Sequence, residues 1–490
     1  MKKITRRNFI KGSVASVASV GIVSQLATPV WSNVRGANED IRVAVVGFRG
    51  KGKGHIKDFR KLNGVRIVAL CDVDTKIIAG EVEKLEKDNI KVDTYTDVRK
   101  LLEDKNIDAI VTATPNHWHA LVTIWACQAG KDVYVEKPIH HNASEGAVMK
   151  AAAKKYGRIV QSGLQGRSDP ALAETAEYLK AGNLGKILYA HCLCYNRRDS
   201  IGKYGIQPVP DYIDYNLWTG PAPLEPLRRK GVHYDWHWFW DTGNSDLVNQ
   251  SIHDMDICRW LIGEDTLCKS TMSIGGRFGY DDDAETPNTQ VAFLEYERAP
   301  IIFEMRGLPM KKGVRAQDRY KGINNGAVIQ CENGYWAGSR GGGWSFDNND
   351  NKIKQFSGDG GAGHQANFIK AVRSRKESDL NADLSVGDVS STLCHLPNIS
   401  HRLGAFKSPD EITKAVEFNP QFAKAWEGMK KHLAANEVDI NSIAIALGPK
   451  ITLDDKREKF VGDHFPAFWA NRMLTRQYRE PFVVPSPDNV

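Results

Sequence analysis

The stretch Ile41–Gly47, IRVAVVG, decides the fold. It is almost wholly apolar, rich in β-branched residues, and stops on a glycine. A strand with no wet face belongs in a parallel sheet covered on both sides. The loop Gly47–His55, GFRGKGKGH, follows it, then a helix-like stretch, then a second apolar run, VRIVALCD, ending at Asp72. Strand, glycine-rich turn, helix, strand and terminal acid are the layout of a dinucleotide-binding unit. Glycines let the backbone approach a pyrophosphate, the helix amino end attracts it, and the acid accepts ribose hydroxyls. In the G-x-G-x-x-G register Gly47 and Gly52 fit, while Arg49 stands at the second glycine position and Gly50 supplies flexibility beside it. Taken alone, the loop also fits an ordinary glycine-rich turn.

The alternation continues through Asp108–Pro115, Asp132–Pro138 and Arg158–Leu164, with helical stretches between them. The expected fold class is therefore α/β, with a doubly wound parallel sheet spanning residues 40–165. Ligands bind such a sheet beyond the carboxyl ends of its strands. The residues there are Asp72, Thr114, Asn116, His117, Glu136 and Lys137.

The chain has 490 residues and a net charge of +7. Five basic residues and no acidic ones fall in positions 1–32, so the remainder carries only about +2, which argues against a nucleic-acid partner. The eight cysteines show no zinc-like or redox CxxC spacing. Cys192 and Cys194 alternate on an expected strand and read as buried thiols. No metal site is expected.

Residues 1–32 read as a twin-arginine signal peptide. Lys2, Lys3, Arg6, Arg7 and Lys11 precede a weakly apolar run from Val14 to Ala27, too short and polar to stay in a membrane. The expected location is periplasmic or exported, with no stable membrane span once the signal is removed. That pathway carries folded cargo, and the usual reason is a cofactor loaded in the cytoplasm.

Ser245–Gly263, SDLVNQSIHDMDICRWLIG, shows helical spacing. Asp246, Asn249, His253, Asp256 and Trp260 fall three or four residues apart and are expected on one face. A bland reading is a buried histidine satisfied by polar neighbours. Between Arg197 and Trp240 the chain is rich in proline and aromatics. Trp236 and Trp238 suit stacking on a sugar, or else fill a core. The Asn-, Asp- and Gly-rich segment 348–363 is expected to be a mobile surface loop.

Three motifs in order resemble the Gfo/Idh/MocA oxidoreductases: Thr114–His119 (TPNHWH), Glu136–Pro138 (EKP) and Asn249–Asp256 (NQSIHDMD). The resemblance runs from about Ile41 to Tyr478–Pro485 and is strongest to an exported branch. It implies a second α+β domain, residues 166–490, built on a large, mostly antiparallel open sheet used for homo-oligomer contacts. It implies that Lys137 holds a substrate hydroxyl and that His253 exchanges its proton, a task suited to an imidazole. The cofactor expected is NAD, held by Gly47, Arg49, Gly50, Gly52, Asp72, Thr114, Asn116, His117, Glu136 and Lys137. Arg49 and Lys51 in the phosphate loop keep NADP open. Arg167, Trp236, Trp238, Asn249 and Asp246 are expected to bind a sugar or glycoside. Asn249 stands where many members have aspartate, and an amide raises the basicity of a histidine much less than a carboxylate does. Asp246, one turn earlier, is the expected substitute.

An exported enzyme cannot readily exchange its dinucleotide, so the cofactor is expected to be tightly held and recycled internally. Two chemistries do this: oxidation of a sugar hydroxyl followed by reduction of a second carbonyl compound, and redox-neutral glycoside cleavage by oxidation, elimination and reduction, as in the NAD-dependent α-N-acetylgalactosaminidases. A non-catalytic sugar-binding relative is the third reading.

Overall fold

The structure is a computed structural model that describes residues 40–454 and 456–490. The expected signal, residues 1–32, lies outside the described residues.

The first sheet consists of β1 (Ile41–Val46), β2 (Val65–Cys71), β3 (Asp93–Tyr95), β4 (Ala109–Thr112), β5 (Asp132–Val135) and β6 (Val160–Ser162). All pairings are parallel, in the order β3-β2-β1-β4-β5-β6. Alternate residues of β1 explain its unbroken apolarity. Val43 and Val45 pack with Ile56, Phe59 and Phe368 on one side, and Ala44 and Val46 with Leu121 and Val122 on the other. The central strands thus feed two cores, and every strand carboxyl end points to one rim. β3 is short and polar, and its sequence carries no apolar run to announce it.

Among the described residues the second sheet has twelve strands. β7 (Ile187–Cys194), β8 (Ser270–Gly276), β9 (Thr289–Glu295), β10 (Ile301–Arg306), β11 (Asn325–Cys331), β12 (Gly334–Ser339), β13 (Gly342–Asp347) and β14 (Lys352–Ser357) form its body. Every pairing among them is antiparallel except β7 with β10. Cys192 and Cys194 are free thiols buried in its core. The segment 348–363 is not wholly loop. Residues 352–357 are the edge strand β14, which buries only Phe356 and so lacks the apolar alternation of an inner strand.

Some residues beyond 165 return to the first sheet. The helix His364–Ser374 places Phe368 and Ile369 against Val43 and Phe59, and Phe482, Val484 and Val490 join the opposite core. Among the described residues no helix is long and apolar enough to cross a membrane.

Candidate functional site

At the carboxyl rim of the first sheet lies a cavity of about 420 Å³, roofed by residues of the later chain. Gly47 opens it with φ +74°, pressed so close to Thr114 that a Cβ would lie 2.9 Å from the Thr114 Cα. A Cβ on Gly52 would sit 2.2 Å from the Gly47 carbonyl oxygen. Both positions therefore exclude any larger residue. Gly50 has open space around its Cβ position, and the helix Lys51–Phe59 begins directly after it with no side-chain cap. A helix start without a side-chain cap, an open face and the exposed side chains of Arg49 and Lys51 suit a pyrophosphate.

Asp72 ends β2 at the same rim. Its carboxylate accepts from the main-chain N–H of Phe48 at 3.0 Å and of Asp74 at 3.1 Å. Burial pushes its carboxyl up from the ordinary range, against those two donors. Asn116 lines the cavity and is buried, yet among the described residues its Nδ2 has no partner. An orphaned amide donor beside open glycines and a ribose-binding acid fits a dinucleotide.

Glu136 lines the cavity as a brace. His55 Nε2 lies 2.9 Å from its Oε1, and Gln165 Nε2 donates to the same oxygen at 2.9 Å. Burial alone would raise the Glu136 carboxyl, but the His55 hydrogen bond and the charges of His55, Lys51 and Lys137 hold it well below the usual range. It is therefore a fixed anion beside Lys137. The Lys137 ammonium donates to the main-chain oxygen of Asn249 at 2.6 Å. Burial lowers its pKa, aided by Arg340 and Lys51 and opposed by Glu136.

Asn249 and His253 line the cavity, but the expected single helix does not exist. It breaks into Ser245–Asn249 and Ile252–Leu261. A continuous helix would offer the Asn249 carbonyl to the N–H of His253; Lys137 takes it instead. The carbonyl of Asp246 receives the N–H of both Gln250 and Ser251, each at 2.9 Å. The break redistributes the expected polar face. His253 faces the cavity, and among the described residues its side chain has no hydrogen-bond partner. Burial, with the charges of Lys137 and Arg340, drives its pKa well below the ordinary 6.5, so it is a neutral imidazole.

Three expected substrate residues are engaged elsewhere. Asp246 is buried and gripped by Arg198, whose Nε and Nη2 donate at 2.6 and 2.9 Å. It does not substitute for the missing aspartate at 249. Arg167 is spent on Asp256 and lies over Trp260 at 4.7 Å. Trp238 is buried off the cavity, whereas Trp236 lines it. His117, expected at the cofactor, also lies off the cavity. Its ring nitrogens meet the carbonyl oxygens of Trp218 at 3.1 Å and Thr242 at 3.4 Å, and burial lowers its pKa to about 3.

Among the cavity side chains that escaped the sequence reading are His237 and Arg340. His237 stacks on Trp236 with centroids 3.7 Å apart, and its Nδ1 is held by the carbonyl of Tyr234. Burial lowers its pKa to about 3. Arg340 reaches in from the β12–β13 turn. The chain WHW around His237 drew attention to the indoles rather than the imidazole, and nothing local to Arg340 marks it.

A Rossmann sheet with a dinucleotide cradle, a buried lysine and a neutral imidazole at its rim is an arrangement that suits nicotinamide-dependent redox chemistry. Residues 41–164 match the oxidoreductase-family model described as an NAD-binding Rossmann fold, and residues 197–307 match the model of that family's C-terminal alpha/beta domain. Both models are of the Gfo/Idh/MocA oxidoreductases, which these two segments of the chain resemble.

Among curated relatives, scyllo-inositol 2-dehydrogenase (NAD(+)) of Bacillus subtilis is 27% identical over 225 residues, 46% of this chain and 54% of that protein. Inositol 2-dehydrogenase 4 of Saccharopolyspora erythraea is 32% identical over 231 residues, 47% of this chain and 56% of that one. The chain thus spans about half the length of the curated relatives it matches. Among solved structures, the WlbA dehydrogenase of Bordetella pertussis, in complex with NADH and UDP-GlcNAcA, has a TM-score of 0.55 at 19% identity, covering 74% of this chain and 97% of that one. GenD2 of gentamicin A biosynthesis, in complex with NAD, has a TM-score of 0.53 at 15% identity, covering 77% and 96%.

Proposed function

We propose that this protein oxidises a hydroxyl of a sugar or glycoside with a tightly held NAD, which it returns to the oxidised state by passing the hydride to a second carbonyl compound. The observation that carries the reading is Lys137, His253 and Asn249 converging on one cavity with the glycine cradle and Asp72. When bound, NAD supplies the hydride acceptor. Gly47, Gly50, Arg49 and Lys51 would hold its pyrophosphate, and Asp72 its ribose. The negative charge of Asp72 disfavours a 2′-phosphate and hence NADP. Lys137 orients the reacting hydroxyl and steadies developing alkoxide charge. His253, uncharged at neutral pH, takes the hydroxyl proton on its open nitrogen.

His237 favours a second reading, redox-neutral glycoside cleavage. Once a carbonyl forms, elimination needs a base for the neighbouring C–H. A second neutral imidazole stands in the same cavity, its Nδ1 committed to a main-chain carbonyl and its ring beside the Asn249 side chain.

Export is part of the same proposal: residues 1–32 direct the folded, loaded protein through the twin-arginine route. Copies associate through the second sheet. Replacing Arg6 and Arg7 by lysine should keep the protein in the cytoplasmic fraction, and sedimentation reads the assembly.

The decisive experiment is denaturation of purified protein followed by mass analysis of what is released, then single-turnover absorbance with inositols, hexoses and glycosides. NAD(H) released and reduced by a polyol supports the reading. Protein that neither retains nor binds the dinucleotide overturns it.

A further inference from the structure

Arg340 stands out because its backbone is pinned while its head is free. Ser339 donates to Asp254 at 3.2 Å, which ties one side of the β12–β13 turn to the helix that carries His253. On the other side the Gly341 N–H donates to Asp169 at 2.6 Å. Gly341 and Gly342 take φ of +91° and +113°, which lets the turn fold tightly over the site. The Arg340 stem lies against Gly166, where a Cβ would come within 3.4 Å of its Cγ. A loosely tethered surface arginine has no such seating.

The head group makes one long hydrogen bond, to Gln165 Oε1 at 3.3 Å. Among the described residues it has no acidic partner. The carboxylates around it are committed: Glu136 to His55, Asp246 to Arg198, and Asp256 to Arg167 and Arg259. Asp254, which feels the Arg340 charge, is lifted by burial to about 7 and is substantially protonated at neutral pH. The substrate end of the cavity therefore holds the Arg340 charge without an acidic partner, next to a Lys137 whose charge Glu136 balances. A neutral sugar leaves that charge unanswered, whereas a carboxylate answers it in the two-pronged geometry a guanidinium favours.

We propose that Arg340 is a specificity residue that binds a carboxylate on the substrate, so that the sugar acted on is an acidic, uronate-type sugar. This rests on the sugar-oxidation reading and narrows its substrate class. The planar head spans both carboxylate oxygens, while Lys137 and His253 address a hydroxyl on the same ring.

The test is calorimetric titration of the full-length, NAD-saturated protein at low ionic strength with D-glucuronate, D-galacturonate, D-glucose, D-galactose and D-glucose 6-phosphate. At least one uronate should bind about tenfold to a hundredfold more tightly than its neutral parent, the range of a charge-assisted hydrogen-bonded pair. Arg340→Gln should abolish that preference, and Arg340→Lys should restore part of it. Retention of NAD by each variant verifies its fold. Uronates that bind no better than neutral sugars overturn the inference and leave sugar oxidation standing. A preference for the phosphate without one for the uronates overturns the carboxylate class. A preference that survives Arg340→Gln removes Arg340 from the role. NAD binding without affinity for any of the sugars overturns the sugar reading and this inference together.

Discussion

The Lys137 ammonium donates to the Asn249 main-chain oxygen at 2.6 Å, across 112 residues of sequence. This one bond joins the end of β5 to the break between the two helices that carry Asn249 and His253. It sets the lysine and the imidazole at one cavity although they come from different parts of the fold.

Lys137 and His253 are expected to act as a unit on the substrate hydroxyl. Lys137→Met or His253→Ala should each slow reduction of bound cofactor by on the order of 10²–10⁴. The double variant should be little worse than either single one. Single-turnover absorbance isolates this step. Wild-type rates in His253→Ala would transfer the base role to His237.

The pH profile of that step should be displaced to the acid side. His253 titrates well below the ordinary 6.5 because it is buried beside Lys137 and Arg340. Its free-base form therefore persists as pH falls through 6.5, and the acid limb should lie lower. Arg340→Gln removes a positive neighbour and should move the limb upward. A limb at 6.5 in wild type, unmoved in the variant, refutes this.

Arg167 should matter for stability rather than for substrate affinity. Its two hydrogen bonds to Asp256, at 2.8 and 2.7 Å, hold a buried carboxylate whose pKa stands at about 2. Arg167→Ala leaves that anion only Arg259 and Ser390. Losing one partner of a buried pair costs about 3 kcal/mol or more. A marked fall in Tm with an unchanged KM is the expected result; the reverse pattern would return Arg167 to the substrate site.

Acid should unfold the protein through its buried histidines. Burial depresses His117, His237 and His395 to about 3, and His364 and His401 to about 4, all from 6.5. Below 6.5 the unfolded chain binds protons that the folded chain refuses, so stability is lost progressively as pH falls from 6.5 toward 4. Each such group contributes about 1.4 kcal/mol per pH unit in that window. Calorimetric Tm should drop steeply between pH 6.5 and 4.5. A flat Tm there would refute the argument.

Much of this protein is set by short-range pattern. Continuous apolar runs ending in Gly47, Asp72 and the EKP segment can be accommodated only in a doubly covered parallel sheet. Such a sheet brings its strand ends, and with them Asp72, Thr114, Asn116 and Lys137, to one rim. Those residues are legible because their positions follow from the period of a strand and its length. Helical spacing likewise marked His253, but not its company, because spacing assumes that the helix continues. One long-range acceptor demand, Lys137 on the Asn249 carbonyl, interrupts it. Which charges pair is a tertiary matter as well. Arg167 with Asp256, Arg198 with Asp246, and the unpaired Arg340 depend on which distant chains the folded core brings within hydrogen-bond reach, and no local period encodes that distance.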